Sequence, residues 1–574
     1  MKDYRELRKN LKKDYGAFPK VKIALLSTQA AQYPAQALRA AAYEYRLDAD
    51  IYEAPFDRIE EETRDTASGL YAFEPDIAVI LPVAENVRGR YYSLAPDARG
   101  SFTEAEANRL LDAAGRVSRQ SGAHVVICSL AEIDDGIYGS YAASYPLSLL
   151  SVTRAVNNRI AEGAAATPGI GLADIAALAS RYGTADAGDG RMYYLSSSAF
   201  SQQFLFAAMD RVMSYIAALR GRVRKCLVTD LDGTLWGGVV GDIGMESIEV
   251  GEMGMGRAYS DLQAWIKELS RRGIAVCVCS KNDEKIAKEP FLSHPGMKLS
   301  LDDIAVFKAN WQDKSQNLRE IKEALNIGYD SMVFIDDNPV ERGAVRSQLP
   351  DVEVPELPAD ASGFLAFLQA ENLFETVALS DEDAMRTEMY RAAGEREAAK
   401  DSAGSLEEYL QSLGMVCKIS PFDSYSIPRV AQLTQRTNQF NLRTVRYAES
   451  DIEKAAADAS SITMAVSLTD AYGDYGIIGA VIMKETEKGG LFLDTWLMSC
   501  RAVKRGVEEF VFNRMAQAAA EQGYSVIEAE YAPTEKNAPV KGLLANMGFT
   551  EGAAGRWVLN IGEYAPKRTY IAEG

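Results

Sequence analysis

KCLVTDLDGTLWGGVV, residues 225–240, decides how this chain is read. An apolar run, Cys226 to Thr229, delivers two carboxylates, Asp230 and Asp232, onto a Gly233-Thr234 turn, which is where a buried parallel strand presents catalytic groups. Two acids one residue apart at such a strand end suit Mg²⁺ and a phosphate: one attacks phosphorus while the other manages the proton. A strand closing on an Asp-Gly turn is also an ordinary loop signal, so residues further along must decide between chemistry and punctuation.

They follow in order. Ser280 ends a second apolar run, GIAVCVCS; Lys314 precedes a helix-patterned stretch, SQNLREIKEAL; Asp336 and Asp337 end a third run, SMVFIDD. Acid, hydroxyl, ammonium and paired acids in this order resemble the haloacid dehalogenase (HAD) superfamily of phosphohydrolases and phosphotransferases, which implies a Rossmannoid α/β domain. On that resemblance Asp230 is the nucleophile that forms an aspartyl-phosphate, and Asp232 is the general acid and base. Ser280 hydrogen-bonds the phosphoryl oxygens and Lys314 neutralises charge on nucleophile and phosphate. Mg²⁺ favours hard oxygen ligands, here Asp230, the Asp232 backbone carbonyl, and Asp337 or Asp336, with Asp337 preferred. The intervals Asp230–Ser280 and Ser280–Lys314, 50 and 34 residues, leave no room for a folded cap after their helices are counted. The phosphate site should therefore be open, which suits a substrate carried by a macromolecule.

At 574 residues the chain has length for three or four domains, at roughly 100 to 200 residues each. A net charge of -19 argues against nucleic acid or an anionic membrane surface as main partner. The charged start, MKDYRELRKNLKKDYGAFPK, lacks the apolar core of a signal peptide, and no run of about 18 apolar residues occurs. Six scattered cysteines (Cys128, Cys226, Cys277, Cys279, Cys417, Cys500) fit a reduced cytoplasm better than disulfides or zinc. With only His124 and His294 present, a His-based triad is nearly excluded.

Three domains are expected. Residues 1–220 alternate strand-like runs (KIALLS, DIAVILPV, HVVICSL) with helix-like ones, the pattern of a parallel α/β layer. Ser27 at the end of the first run, and GDGRMYY at 188–194, resemble parts of an SGNH hydrolase. Without a histidine between 151 and 220, a non-catalytic SGNH-like docking domain is the expectation. Residues 221–372 form the capless HAD-like domain, closing on the proline-marked VEVPELPADASGFLAFLQ. Residues 373–574 read as strands (ITMAVSLTD, GIIGAVIMKE, LFLDTWLMSC), a long helix (GVEEFVFNRMAQAAAEQG), a strand (SVIEAEYA) and a closing Gly548-Phe549, which resembles the α+β fold of GNAT acyltransferases. That fold cradles a pyrophosphate at a helix N-terminus. The turn here is RAVKRG, 501–506, with Lys504 where a glycine is expected, which weakens a coenzyme A reading and leaves open the pantetheine arm of a carrier protein.

The chain as a whole resembles the FkbH-like proteins. The matching stretches are DLDGTLWGGVVGD (230–242), CSKND (279–283), NWQDK (310–314), FIDDNPVER (334–342), RTNQFNLRT (436–444), YGDYGIIG (472–479), SCRAVKRGVE (499–508) and YAPTEKN (531–537). The resemblance implies a bifunctional glyceryl transferase and phosphatase. It would take the glyceryl group of 1,3-bisphosphoglycerate, a phosphorylated three-carbon acid, remove phosphate with Mg²⁺, and deliver glyceryl to the phosphopantetheine thiol of an acyl carrier protein. A stand-alone Mg²⁺ phosphatase with a binding-only third domain is the alternative. Cys500, beside Arg501 and Arg505, whose charge would lower a thiol pKa, is the candidate acyl acceptor; Cys279 beside Ser280 is the other. Arg501, Arg505, Gly506, Asn438 and Asn441 are the expected pantetheine contacts. Asp470, Asp474 and Gly476 are candidates for the same cleft, although Ala471 stands where the family has arginine.

Overall fold

A computed structural model of the chain describes residues 4–378, 405–487, 489–499, 502–503, 505–534, 536–552 and 555–574. The chain divides into two compact units, Met1–Arg222 with Glu375–Val377, and Val223–Phe374 with Ala378–Gly574. Among the described residues no helix is long and apolar enough to cross a membrane.

The first unit is built on five parallel strands: β1 (Lys20–Ser27), β2 (Asp48–Glu53), β3 (Ile77–Leu81), β4 (His124–Cys128) and β5 (Ile170–Ala173), in the order β2-β1-β3-β4-β5. KIALLS shows why the layers form. Ile23 and Leu25 enter one core with the helices Gln32–Glu44 and Gln202–Leu219, while Ala24 and Leu26 enter another with Phe102–Ser121 and Leu149–Ala166. A strand apolar on both parities has helices on both faces. Val377 packs against the first of these cores, so the start of the segment expected to open the third domain returns to the first unit.

The second unit carries two sheets. The smaller has four parallel strands, β6 (Cys226–Thr229), β7 (Ala275–Ser280), β8 (Val306–Ala309) and β9 (Met332–Ile335), in the order β8-β7-β6-β9. Cys277 and Cys279 share one parity of β7 and pack with Leu318 and Ile321 of the helix Lys314–Leu325, whereas Val276 and Val278 face the other core. Between β6 and β7 lie only the short helix Val240–Ile243, a turn at Met245–Ser247 and the helix Gly254–Arg271. Between β7 and β8 lie the helix Glu284–Ser293 and a turn at Leu301–Asp303. Neither interval holds a folded cap.

The larger sheet adds β10 (Val416–Ser420), β11 (Ser461–Asp470), β12 (Gly473–Glu485), β13 (Leu491–Met498), β14 (Val526–Glu530), β15 (Thr550–Glu551), β16 (Arg556–Asn560) and β17 (Ala572–Glu573). Strands β10 to β13 are antiparallel neighbours, and the helix Val507–Glu521 then carries the chain to β14, parallel to β13. The β13–β14 pairing lasts only for Leu491↔Ile527 and Phe492↔Glu528 before the strands part. The overall class is the expected one: parallel α/β layers followed by a GNAT-like α+β sheet.

Candidate active site

Three strand ends of the smaller sheet converge. Asp230 follows β6, Ser280 is the last residue of β7, and Asp336 and Asp337 follow β9, while Lys314 opens the helix after β8. The strand order reverses beside β6, and the crevice over such a reversal is where open α/β sheets bind ligands. Lys314 Nζ lies 2.9 Å from Asp230 Oδ2 and 2.5 Å from Asp336 Oδ2. All three of these side chains are buried. Asp230, Asp336 and Asp337 each place a carboxylate oxygen within 4.8 Å of the others, with Asp337 on the exposed side. Oδ1 of Asp230 is buried and has no hydrogen-bond partner.

One ammonium cannot balance three carboxylates. Burial first, then the charge of Asp230, pushes Asp336 up to about 6 against the pull of Lys314. The same two causes raise Asp337. Burial opposes the charge of Lys314, but Asp230 and Asp336 more than offset it and hold its pKa above the ordinary lysine range. Acidic oxygens gathered at a deficit of positive charge, one of them unsatisfied, fit a hard divalent cation.

Asp232 is held differently. Its Oδ1 accepts from Trp236 Nε1 at 2.8 Å and Val240 N at 3.0 Å, and its Oδ2 accepts from Asn282 Nδ2 at 2.9 Å. Its pKa is nonetheless raised, because burial outweighs those donors. The side chain stands apart from the carboxylate trio, which leaves its backbone carbonyl as the ligand atom expected of it. Between the two acids' strands, Gly233 takes φ +75, and a Cβ there would strike the Asp337 carboxylate. Thr234 Oγ1 accepts from Asp337 N at 3.0 Å, and Arg342 Nη1 donates to the carbonyls of Asp336 and Asp337 at 2.7 Å each. Ser280 is buried, and its carbonyl accepts from Asn310 N at 3.1 Å, fixing the loop that leads to Lys314.

Trp236, Asn282, Thr234 and Arg342 lie inside quoted motifs, yet the sequence reading gave them no role. The available signal was position: Trp236 four residues after Asp232, Asn282 two after Ser280, and Arg342 five after Asp337.

The other expected site residues fare differently. Cys500, Arg501 and Lys504 lie outside the described residues. Asn441, expected to meet pantetheine, is instead consumed by the fold: its Nδ2 donates to Thr437 O, and its Oδ1 accepts from Arg443 N and Thr444 N at 3.3 and 2.8 Å. The physical reason is its place. Phe440–Leu442 fill the gap where β13 and β14 part, with Met498 N donating to Phe440 O, Leu442 N to Trp496 O, and Ala532 N to Leu442 O. Asn438 accepts from Arg446 through Oδ1 and is half-buried. Arg505 is likewise turned inward, donating to Tyr475 Oη at 2.9 Å and lying 3.6 Å from the fully buried Asp470 carboxylate. Gly506 adopts φ +82 at the start of the helix Val507–Glu521. Asp474 closes a turn by accepting from Gly476 N at 2.8 Å. Cys279 is fully buried with its thiol pKa raised by that burial, the opposite of an activated thiolate. In the first unit, Ser27 Oγ donates to Leu81 O at 3.3 Å, and Asp189 caps the helix Gly190–Ser196 by accepting from Met192 N.

A family model described as FkbH, N-terminal domain, matches residues 22–217. The N-terminal part of BF1531 from Bacteroides fragilis, containing a phosphatase domain complexed with Mg, is 38% identical. That match covers 66% of this chain and 100% of that one, with a TM-score of 0.63. The ribosomal-protein-S18-alanine N-acetyltransferase of Escherichia coli aligns at 14% identity over 25% of this chain and 94% of its own, TM-score 0.21. The GNAT domain of S. lividans PAT aligns at 15% over 25% and 89%, TM-score 0.21. No curated protein matches the chain. From the FkbH N-terminal-domain model over residues 22–217 and the match to BF1531 together, the chain belongs to the FkbH-like family and carries a domain of the HAD phosphatase type.

Proposed function

We propose that the protein is an Mg²⁺-dependent glyceryl transferase and phosphatase, dephosphorylating 1,3-bisphosphoglycerate and passing its glyceryl unit to the pantetheine thiol of an acyl carrier protein. One observation carries the phosphatase half: Asp230 is buried against Lys314 at 2.9 Å, beside Asp336 and Asp337, with its Oδ1 unengaged. Asp230, Asp337, and the Asp232 carbonyl would hold the ion, Asp336 being already drawn to Lys314. When bound, Mg²⁺ would neutralise phosphate charge and complete the balance that Lys314 alone does not reach.

The chain's own residues then divide the work. Asp230 attacks phosphorus, forming an aspartyl-phosphate as the bond to the leaving oxygen breaks. Asp232, its carboxyl kept above the ordinary range by burial, gives that oxygen a proton and later takes one from the water that hydrolyses the intermediate. Ser280 and Lys314 hold the phosphoryl oxygens.

For the transfer half, Cys500 is the proposed acceptor of the acyl group. Cys128, Cys226, Cys277, Cys279 and Cys417 are all buried, and burial pushes Cys128 and Cys417 up to about 12. The acyl-phosphate carbonyl carbon would bond to the thiolate sulfur as phosphate leaves, and a carrier thiol would displace Cys500 in turn. The inward turn of Arg505 and Asn441 favours the other reading, a phosphatase with a binding-only third domain. Intact masses after incubation with 1,3-bisphosphoglycerate and a phosphopantetheinylated carrier protein separate the two. A glyceryl adduct on the carrier, lost with an enzyme adduct in Cys500→Ala, supports the transferase. Mg²⁺-dependent phosphate release without any adduct supports the phosphatase, and Mg²⁺-dependent release of the ester phosphate that survives Asp230→Asn rejects both.

A further inference from the structure

In the first unit the strand order also reverses, between β1 and β3, and the crevice outside their carboxyl ends has a distinctive floor. Ser27 Oγ donates to Leu81 O and accepts from Gln29 N at 3.1 Å, while Thr28 Oγ1 accepts from Val83 N at 2.9 Å. These bonds pin the β1 loop to the end of β3. Gln29, 1% exposed, accepts from Ala199 N through Oε1 at 2.9 Å, yet its Nε2 has no partner. Ser198, the neighbour of that alanine and 7% exposed, has an Oγ with no partner either. Buried polar groups are almost always satisfied, so two such orphans beside one hydrogen bond call for a ligand. The Oδ1 of Asp230 bears the same mark in the phosphate site.

The rim is apolar. Tyr33, Phe56, Tyr194 and Leu195 are 45%, 51%, 82% and 70% exposed. Backbone bonds tie the chain beside them to this floor. Asp57 N donates to Ser27 O beside Phe56, and Ala30 N donates to Ser197 O, joining the loop before Tyr33 to the end of the helix that carries Tyr194 and Leu195.

We infer that this crevice binds an uncharged chain bearing an amide, the pantetheine arm being the one this enzyme would meet. That assignment of source rests on the carrier-protein reading above. The chemistry follows from the floor. Gln29 Nε2 can only donate and Ser198 Oγ can donate or accept, so the pair complements the carbonyl and the N–H of a secondary amide. The aromatic rings suit the apolar flank of such an arm. A buried water would satisfy the two orphans but gives no reason for the rim. This placement also accounts for the inward use of Asn441, which the sequence reading had assigned to the same arm.

Hydrogen–deuterium exchange of the full-length protein tests it, with D-pantetheine and an N-acetyl dipeptide amide as probes. Pantetheine should slow exchange in residues 27–33 and 190–200. Tyr194→Ala, at an exposed position that the fold does not need, should raise the concentration for half-protection about tenfold. Gln29→Leu should abolish the protection. Protection by the dipeptide alone overturns the pantetheine assignment, and protection by neither probe, or by pantetheine equally in both variants, overturns the site. The two proposals fail separately: a glyceryl adduct on the carrier without protection leaves the function standing, and protection without an adduct leaves the site standing.

Discussion

Three N–H donors on Asp232 favour its carboxylate, while burial favours its neutral form, and the balance falls on the raised side. Trp236 and Asn282 therefore position this acid. In the proposed reaction, loosening that grip should hurt most where the leaving oxygen most needs a proton. Asn282→Ala and Trp236→Phe should slow hydrolysis of an alkyl phosphate by about 10²-fold, within the range of general acid catalysis, and of p-nitrophenyl phosphate far less. Equal losses on both substrates would mean simple structural damage. The carboxylate trio yields a second expectation. Asp336, raised to about 6, contributes stability that is complete below the unfolded carboxylate pKa and is lost as pH rises through 6, so the metal-free protein carries unrelieved repulsion at neutral pH. Mg²⁺ should relieve it, adding about 2.7 kcal/mol at a hundred times its Kd, and protons should compete with the ion as pH falls below 6. Thermal shifts measured with and without Mg²⁺ should be larger at pH 7.5 than at pH 5; equal shifts would mean that the charge of Asp336 does not act on the ion.

Strands β6, β7 and β9 were legible because each is a short apolar run ending on a polar group, and burial on both faces forces that pattern. Lys314 was legible for a related reason, standing at the start of an amphipathic helix. RTNQFNLRT was not. Amides look alike in sequence whether they face a ligand or their own backbone, and only the parting of β13 and β14 turns this stretch into a filler of the gap. Asn441 is what makes the filler hold its shape. It binds the amides of Arg443 and Thr444, and Thr444 sits at φ +55, a conformation that a β-branched residue adopts only under constraint. Asn441→Ala would leave half-buried backbone amides unpaired and should destabilise the second unit by about 1–3 kcal/mol. Denaturant unfolding checks this, and Mg²⁺-dependent phosphate release should persist under native conditions, because Asp230 and its partners lie on another sheet. A variant of unchanged stability would show that the gap closes without this side chain.

At the scale of the whole chain, the two units close separate cores. The clusters around Ile23 and Ala24 draw on the first unit alone, and those of the phosphatase and GNAT-like sheets on the second alone. The alternation of strands and helices made the layers of the first unit readable, but nothing in composition marks Glu375–Val377 as returning to it. Three residues leave no periodicity to read, and their placement follows from tertiary contacts: Ser214 Oγ donates to Glu375 Oε2 at 3.4 Å, and Val377 packs against the core. Two compact units that share no core cluster should melt as two transitions. Calorimetry of the full chain should resolve them, and Mg²⁺ should raise only the one belonging to residues 223–574, since Asp230, Asp336 and Asp337 all lie there. Residues 1–222 expressed alone should fold cooperatively with a slightly lowered Tm, for want of Val377, and should ignore the ion. A single transition that Mg²⁺ shifts as a whole would mean that the phosphate site stabilises both cores together, and the independence inferred from the separate clusters would then fail.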